Sequence, residues 1–296
     1  MEYYKNEYGV LYNGDCIEEL SLIEDKSQQA IIIDPPYNIG KDFWDKIDNY
    51  YEWLGNIIEK LVPKLKDNGS FIIFHNDFRM LALIDMEIQK RTKLELVNFM
   101  VWNKRFNESK KKGFMDGFIV KNQLSCFNKM SEYFLFYTFD NSWKLKPKRD
   151  ELGINQLEIS GEILSKTGGI TGWYSNIETG RNYPTEETIK PISKHLGFTM
   201  DDLVPKFRNQ KTDHSVMNYD IETKQGHITP KPVKLLENII RHLTDENDSV
   251  LDCFGGSGSL AVAAQNLNRK WVLIEKEEEY CKITKRRLDE AQLKLL

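Results

Sequence analysis

The stretch Ala30-Ile31-Ile32-Ile33-Asp34-Pro35-Pro36-Tyr37 decides the reading of this chain. Small and β-branched apolar residues read as a buried strand, and a polar turn stiffened by two prolines follows at its end. Consecutive prolines fix two φ angles and remove two backbone N–H donors. The local carbonyls stay free as acceptors, Asp34 adds a carboxylate, and Tyr37 adds an aromatic face. Such a turn suits a planar substrate carrying an NH2 group. For these four residues alone, an ordinary strand-to-loop corner with a buried tyrosine is the plain alternative.

Working outward, residues 9–140 alternate short apolar runs with helical stretches, as an α/β layer structure requires. Strands are expected at residues 10–12, 30–33, 71–74, 96–102 and 133–139. Between the second and third, Tyr50, Trp53, Leu54, Ile57, Ile58, Leu61 and Leu65 recur at helical spacing, with Asp67-Asn68-Gly69 as the expected stop. Residues 38–48 hold no period and read as a long loop placed to close over a substrate. A second α/β stretch starts near Gly226. It contains a helix with Val233, Leu236, Ile240 and Leu243 on one side, strands at 250–251 and 271–274, a helix over 261–267, and a charged helix from Glu277 onward. Residues 150–225 break the alternation and read as an insertion with its own small fold.

The 296 residues are 40% hydrophobic, enough for one large domain with an insertion or for two modest ones. No apolar run approaches the roughly 20 residues that span a bilayer, and Met1-Glu2-Tyr3-Tyr4-Lys5 lacks the features of a signal peptide. A cytoplasmic protein without membrane association is expected. Cys16, Cys126, Cys253 and Cys281 form no CxxC pair, so neither a disulfide framework nor a zinc or other metal site is indicated. The formal charge is −4, yet residues 102–149 hold eleven Lys and Arg against four Asp and Glu. A local excess of that kind fits either a cationic face for nucleic acid or a solvated loop.

The run Val250-Leu251-Asp252-Cys253-Phe254-Gly255-Gly256-Ser257-Gly258-Ser259-Leu260-Ala261 reads as a strand, a glycine turn and a helix start. Glycines let a ligand approach the backbone, and the free N–H groups at the helix start favour a polar or anionic group. Gly256, Gly258 and Ala261 satisfy G-x-G-x-x-A, and Glu275 closes the next strand where a ribose-binding carboxylate is expected. Alone, these features admit NAD as readily as any other adenosine cofactor.

Read together, Asp34-Pro35-Pro36-Tyr37 and the later glycine turn resemble the amino-methyltransferases that modify DNA, in the β-class order with D-P-P-Y before the cofactor motif. Asn13-Gly14-Asp15, Val101-Trp102-Asn103-Lys104, Glu132-Tyr133-Phe134-Leu135-Phe136-Tyr137 and His227-Ile228-Thr229-Pro230-Lys231-Pro232 match further elements of that family. The resemblance implies a Rossmann-like methyltransferase sheet with helices on both faces, split into residues 1–149 and 226–296. It implies S-adenosyl-L-methionine as cofactor, held by Asp15, Thr229, Lys231, Pro232, Asp252, Phe254, Gly256, Gly258 and Glu275. It also implies methyl transfer to an exocyclic amine of a flipped base in double-stranded DNA, with Asp34 and Pro35 accepting the amine, Pro36 fixing the turn and Tyr37 stacking on the base. Asp at the first motif position favours adenine N6, and N4-cytosine is the alternative. No Pro-Cys pair occurs, so direct transfer is expected rather than a covalent cysteine route. A DNA-binding repressor on a degenerate methyltransferase scaffold is a further alternative, disfavoured by the intact acidic and glycine positions.

Residues 160–203 resemble the helix-turn-helix of Cro and C1-type repressors, best over Ile177-Glu178-x-Gly180-Arg181-x-x-Pro184-x-x-Glu187-Thr188-Ile189. That resemblance implies a small helical target-recognition domain over 150–225, with a recognition helix at residues 171–178. Thr171, Trp173 and Asn176 would reach base edges and Arg181 a phosphate. Lys104, Arg105, Lys110, Lys111 and Lys112 would add a sequence-neutral grip on the backbone. A homodimer and a companion restriction endonuclease are partners the family makes expected.

Overall fold

In the computed structural model, which describes residues 1–38, 47–104, 131–208, 213–222 and 230–295, strands and helices alternate. The first half contains β1 (Glu2–Lys5), β2 (Gly9–Asn13), α1 (Cys16–Glu19), β3 (Gln28–Ile33), α2 (Tyr50–Leu61), β4 (Leu65–His75), α3 (Phe78–Arg91), β5 (Leu94–Asn103) and β6 (Ser131–Phe139). Short helices follow: α4 (Leu145–Glu151), α5 (Gln156–Ser160), α6 (Trp173–Glu178), α7 (Ile189–Leu196) and α8 (Met200–Leu203). The chain ends with β7 (Val216–Asn218), α9 (Val233–Leu243), β8 (Ser249–Asp252), α10 (Ser259–Asn266), β9 (Lys270–Glu275) and α11 (Glu278–Leu295).

One sheet has the order β1-β2-β9-β8-β3-β4-β6-β5-β7. From β2 to β4 the strands are parallel, and β6 runs antiparallel to both β4 and β5. All six residues of β3 are buried, as expected for a parallel strand covered by helices on both faces. Ile31 and Ile33 pack with Leu54, Ile57 and Ile58 of α2 and Ile84 and Ile88 of α3. Ile32 points the other way, onto the layer of α9, α10 and α11 that includes Leu236, Ile240, Ala261 and Leu288. This two-residue alternation turns an unbroken apolar run into two cores. Each buried isoleucine contributes about 1.5–3 kcal/mol.

The expected helix stop at Asp67-Asn68-Gly69 is corrected by the structure. Helix α2 ends at Leu61, a 3-10 turn over Val62–Lys64 carries Pro63, and residues 67–69 lie inside β4. Pro63 has no N–H with which to extend the helix. Helix α3 was not apparent from the sequence; Asp77 caps it by accepting from Arg79 N at 2.8 Å.

Leu145, Ile159, Tyr174, Ile177, Ile192, Leu196 and Leu203 form a third hydrophobic cluster, apart from the two that face the sheet. It begins at α4, before residue 150, and Arg149 Nε binds Glu178 Oε1 within it at 2.8 Å. The chain then returns to the sheet, where β7 pairs with β5. The cluster sits where the strands begin: Asn68 Nδ2 donates to Asp201 Oδ1 at 3.0 Å, and Lys206 N donates to Asn68 O at 2.9 Å. Asp34 lies beyond the other end.

Candidate active site

Because β3 pairs in parallel with β8, with Ala30 opposite Val250 and Ile31 opposite Leu251, the turn after Ile33 and the turn after Asp252 emerge side by side. A crevice at the carboxyl ends of parallel strands is where open α/β sheets bind ligands. Here a cavity of about 470 Å³ runs from Asp15 and Glu275 past Asp252, Phe254 and Gly256 to Asp34 and Tyr37. Its size falls in the range of small-molecule sites.

At one end, the Tyr37 hydroxyl lies 2.7 Å from Asp34 Oδ1 and 3.1 Å from Glu132 Oε2. Lys231 Nζ donates to Asp34 Oδ2 at 2.5 Å and to the Tyr37 oxygen at 3.0 Å, and it lies 3.3 Å from Glu132 Oε2. Lys104 binds the other oxygen of Glu132. Two carboxylates and two ammoniums therefore balance, with Glu132 and Lys231 buried and Asp34 and Lys104 partly exposed, an arrangement that limits the cost of burying charge. Burial by itself would raise the Glu132 carboxyl, but Lys231 and Lys104 hold it down at about 2. Burial, with Asp34 and Glu132, raises the Tyr37 phenol well above its ordinary value and keeps it protonated. Burial opposes the Lys231 charge, but Asp34 and Glu132 outweigh it and raise its pKa. The Tyr37 ring packs 4.7 Å from His75.

At the other end, Glu275 accepts from Gly256 N at 2.6 Å through Oε2 and from Glu277 N at 2.7 Å through Oε1. Burial raises its pKa despite those two donors. Asp252 accepts from Phe254 N at 2.9 Å. Burial, with the charges of Asp34 and Glu275, pushes its carboxyl up to about 8. Two acids at the foot of a cavity with an aromatic wall, where Trp53 and Phe254 lie 5.8 Å apart, fit a cationic adenosine ligand such as S-adenosylmethionine.

Of the residues expected at the cofactor, Asp15, Lys231, Asp252, Phe254, Gly256 and Glu275 line the cavity. Lys231, however, directs its ammonium at Asp34. Pro232 and Gly258 do not line the cavity. Pro232 precedes α9 as its N-cap, and Gly258 takes the left-handed conformation at the head of α10, where a Cβ would lie 2.5 Å from Thr284 Cγ2. Thr229, Arg105, Lys110, Lys111 and Lys112 lie outside the described residues. Lys104 belongs to the Glu132 pair rather than to a phosphate grip.

On the helical cluster, Thr171 and Arg181 are exposed and Asn176 is half-buried. Trp173 corrects the expectation of a base-edge contact: it packs into the cluster, and its indole N–H donates to Ser160 O at 3.1 Å. Sequence reasoning did not single out Glu132. A lone acid opening the apolar run 133–139 was the available signal, since such residues are rarely buried unless paired. Arg287 was also missed; it donates to Ser257 O at 2.7 Å and Ser259 Oγ at 3.0 Å and so braces the glycine turn from behind.

A family model described as DNA methylase, covering the N6 and N4 enzymes, matches residues 28–286. The chain belongs to this DNA methylase family. The Type II methyltransferase M1.MboII of Moraxella bovis is 30% identical over 93% of this chain and 94% of its own length. The DNA adenine methyltransferase YhdJ of Escherichia coli K12 is 28% identical over 97% of this chain and 84% of its own. Among solved structures, a PvuII DNA methyltransferase described as cytosine-N4-specific has a TM-score of 0.63 at 17% identity, covering 97% of this chain and 88% of that one. The M1.HpyAVI complex with SAM has a TM-score of 0.57 at 21% identity, covering 94% and 98%. These structures share the DNA methylase fold, a mixed α/β sheet flanked by helices.

Proposed function

We propose that this DNA methylase methylates adenine N6 at specific sites in double-stranded DNA, with the base flipped out of the helix and no covalent intermediate. One observation carries the reading: a single cavity joins the carboxylate and phenol of Asp34 and Tyr37 to the acidic glycine turn at Asp252, Gly256 and Glu275. S-adenosylmethionine, when bound, supplies an electrophilic methyl group on a sulfonium. Asp252, Phe254, Gly256 and Glu275, with Asp15 at the far end, are the residues that hold it.

An adenine amine is a weak nucleophile because its lone pair is delocalised into the ring. Accepting its N–H bonds at the Asp34 carboxylate and the Pro35 carbonyl localises that pair and aims it along the cavity. Fixing the geometry in advance is the larger part of the acceleration. Tyr37 offers its ring face to the base, a contact that contributes about 1–3 kcal/mol in nucleic-acid complexes. Extruding the base costs a few kcal/mol.

Adenine is favoured over cytosine by Asp at the first position of the motif and by the adenine methyltransferase YhdJ among the relatives. Methylation-sensitive sequencing of DNA from cells expressing the chain, combined with nucleoside mass spectrometry, tests this. N6-methyladenine in a fixed context is the expected result; N4-methylcytosine would overturn the base assignment.

We further propose that residues 145–204 contact DNA away from the target base. The cluster is anchored through Asp201 and Lys206 to Asn68, about 23 Å of strand from His75, which packs on Tyr37. Asn176 and Arg181 are the residues through which it would reach the DNA.

A further inference from the structure

The ammonium of Lys231 is 7% exposed and lies on Asp34 Oδ2, while the Tyr37 hydroxyl lies on Asp34 Oδ1. Both oxygens of the carboxylate are thus engaged by donors of the chain itself. An ammonium presents the same kind of N–H as an exocyclic amine, so Lys231 stands where such an amine has to donate. Its second neighbour is Glu132, whose Oε2 is 3.3 Å away and whose other oxygen is fixed by Lys104. Lys231 Nζ thus lies within ion-pair distance of both carboxylates, 2.5 Å from Asp34 and 3.3 Å from Glu132.

We propose that Lys231 holds the amine-accepting oxygen of Asp34 until the target amine arrives, and that Glu132 is the second seat onto which the ammonium then moves. The inference rests on the reading of Asp34 as amine acceptor. After the exchange Asp34 keeps the Tyr37 hydroxyl and gains the amine as donors, and Glu132 holds both ammoniums, so neither carboxylate is left without a donor. It also discriminates. A base without an exocyclic amine offers no N–H to take the place of Lys231, which then stays on Asp34, the same logic by which a polar site rejects an analogue that lacks the matching group. Lys231 and Glu132 are positioning residues, acting through Asp34.

The test is single-turnover methyl transfer to DNA carrying the methylated site, with cofactor affinity measured by calorimetry as the control. Glu132→Gln removes the second seat and is expected to slow transfer at least about tenfold, with cofactor affinity within about twofold of the parent. The double variant Lys231→Gln, Glu132→Gln removes occupant and seat together and is expected to recover to within about threefold of the parent rate. A purely structural role makes the double variant as slow as Glu132→Gln or slower, and that result overturns the proposal. Lys231→Arg conserves the charge and grips Asp34 with two bonds, so it keeps the question open to test even where Glu132→Gln loses the fold. It is expected to be about tenfold slow, and a parent rate would again overturn the exchange. Persistent transfer in Asp34→Ala removes the amine-acceptor reading itself, whereas loss there with an unslowed Glu132→Gln removes only the exchange.

Discussion

Asn68 donates its side-chain amide to Asp201 at 3.0 Å, and this bond ties α8 to the part of β4 farthest from His75. The helical cluster is therefore anchored where the strands begin, while the Asp34-Pro35-Pro36-Tyr37 turn lies beyond their other end. In a footprinting experiment on the methylated site, Asn176→Ala with Arg181→Ala is expected to remove protection several base pairs from the target adenine and to leave the identity of the methylated base unchanged. Unaltered binding and footprint would take α6 off the DNA altogether.

Asp34→Ala is expected to keep the fold and to reduce methyl transfer by about a thousandfold, on the scale of losing a preorganised group at the reacting centre. Cofactor affinity is the discriminating measurement. It should change far less than the rate, because Asp34 stands at the far end of the cavity from Glu275.

Asp252 ties stability and cofactor binding to pH. Its carboxyl titrates at about 8 in the folded chain against 3.8 for the ordinary group. Between those values the folded chain retains a proton that the unfolded chain has lost, so this group makes stability fall as pH rises through the window. Glu132, held at about 2 against 4.5, acts in the opposite sense: its contribution is present above 4.5 and is lost as pH falls towards 2. Asp252→Asn is accordingly expected to raise the Tm relative to the parent at pH 8.5 more than at pH 5. A cationic ligand lowers the carboxyl's pKa, so calorimetry in buffers of different ionisation enthalpy should show release of up to about one proton per S-adenosylmethionine bound near pH 7.

Gly258→Ala places a Cβ on a left-handed residue with φ of 73°, 2.5 Å from Thr284 Cγ2. The conformation alone costs about 1–2 kcal/mol, and the contact adds to it. Thermal melts should show the loss, and Thr284→Ser, which removes that methyl, should restore part of it. Complete additivity of the two substitutions would show that the contact carries no energy.

The Asp34-Pro35-Pro36-Tyr37 turn and the glycine turn were legible because both follow strands covered on two faces, and such strands appear as unbroken apolar runs closed by Pro or Gly. Their meeting in one cavity was implied by family resemblance and then found in the pairing of β3 with β8. The pairing of Glu132 with Lys231 was not legible: residues 99 positions apart carry no periodic signal, and the family resemblance assigned Lys231 to the cofactor. The edge strands β1 and β7 were missed because they are short and largely unburied. The anchoring of the helical cluster depends on Asn68, which local sequence presents as a turn residue and tertiary packing keeps in a strand.

The sheet order has a consequence for the timing of synthesis. Strands β8 and β9, made after the helical cluster, lie between β2 and β3, made before it. A nascent chain can expose Asp34-Pro35-Pro36-Tyr37 long before the glycine turn, which begins 218 residues later, has left the ribosome. Until those strands insert, β2 and β3 lack the neighbours that separate them, and the methyl donor has no seat. Such non-local pairing slows folding, and it leaves the emerging half reliant on protection from aggregation. The same order brings the two turns together only after β8 is made: a chain stalled within the helical cluster carries the Asp34-Pro35-Pro36-Tyr37 turn without the glycine turn.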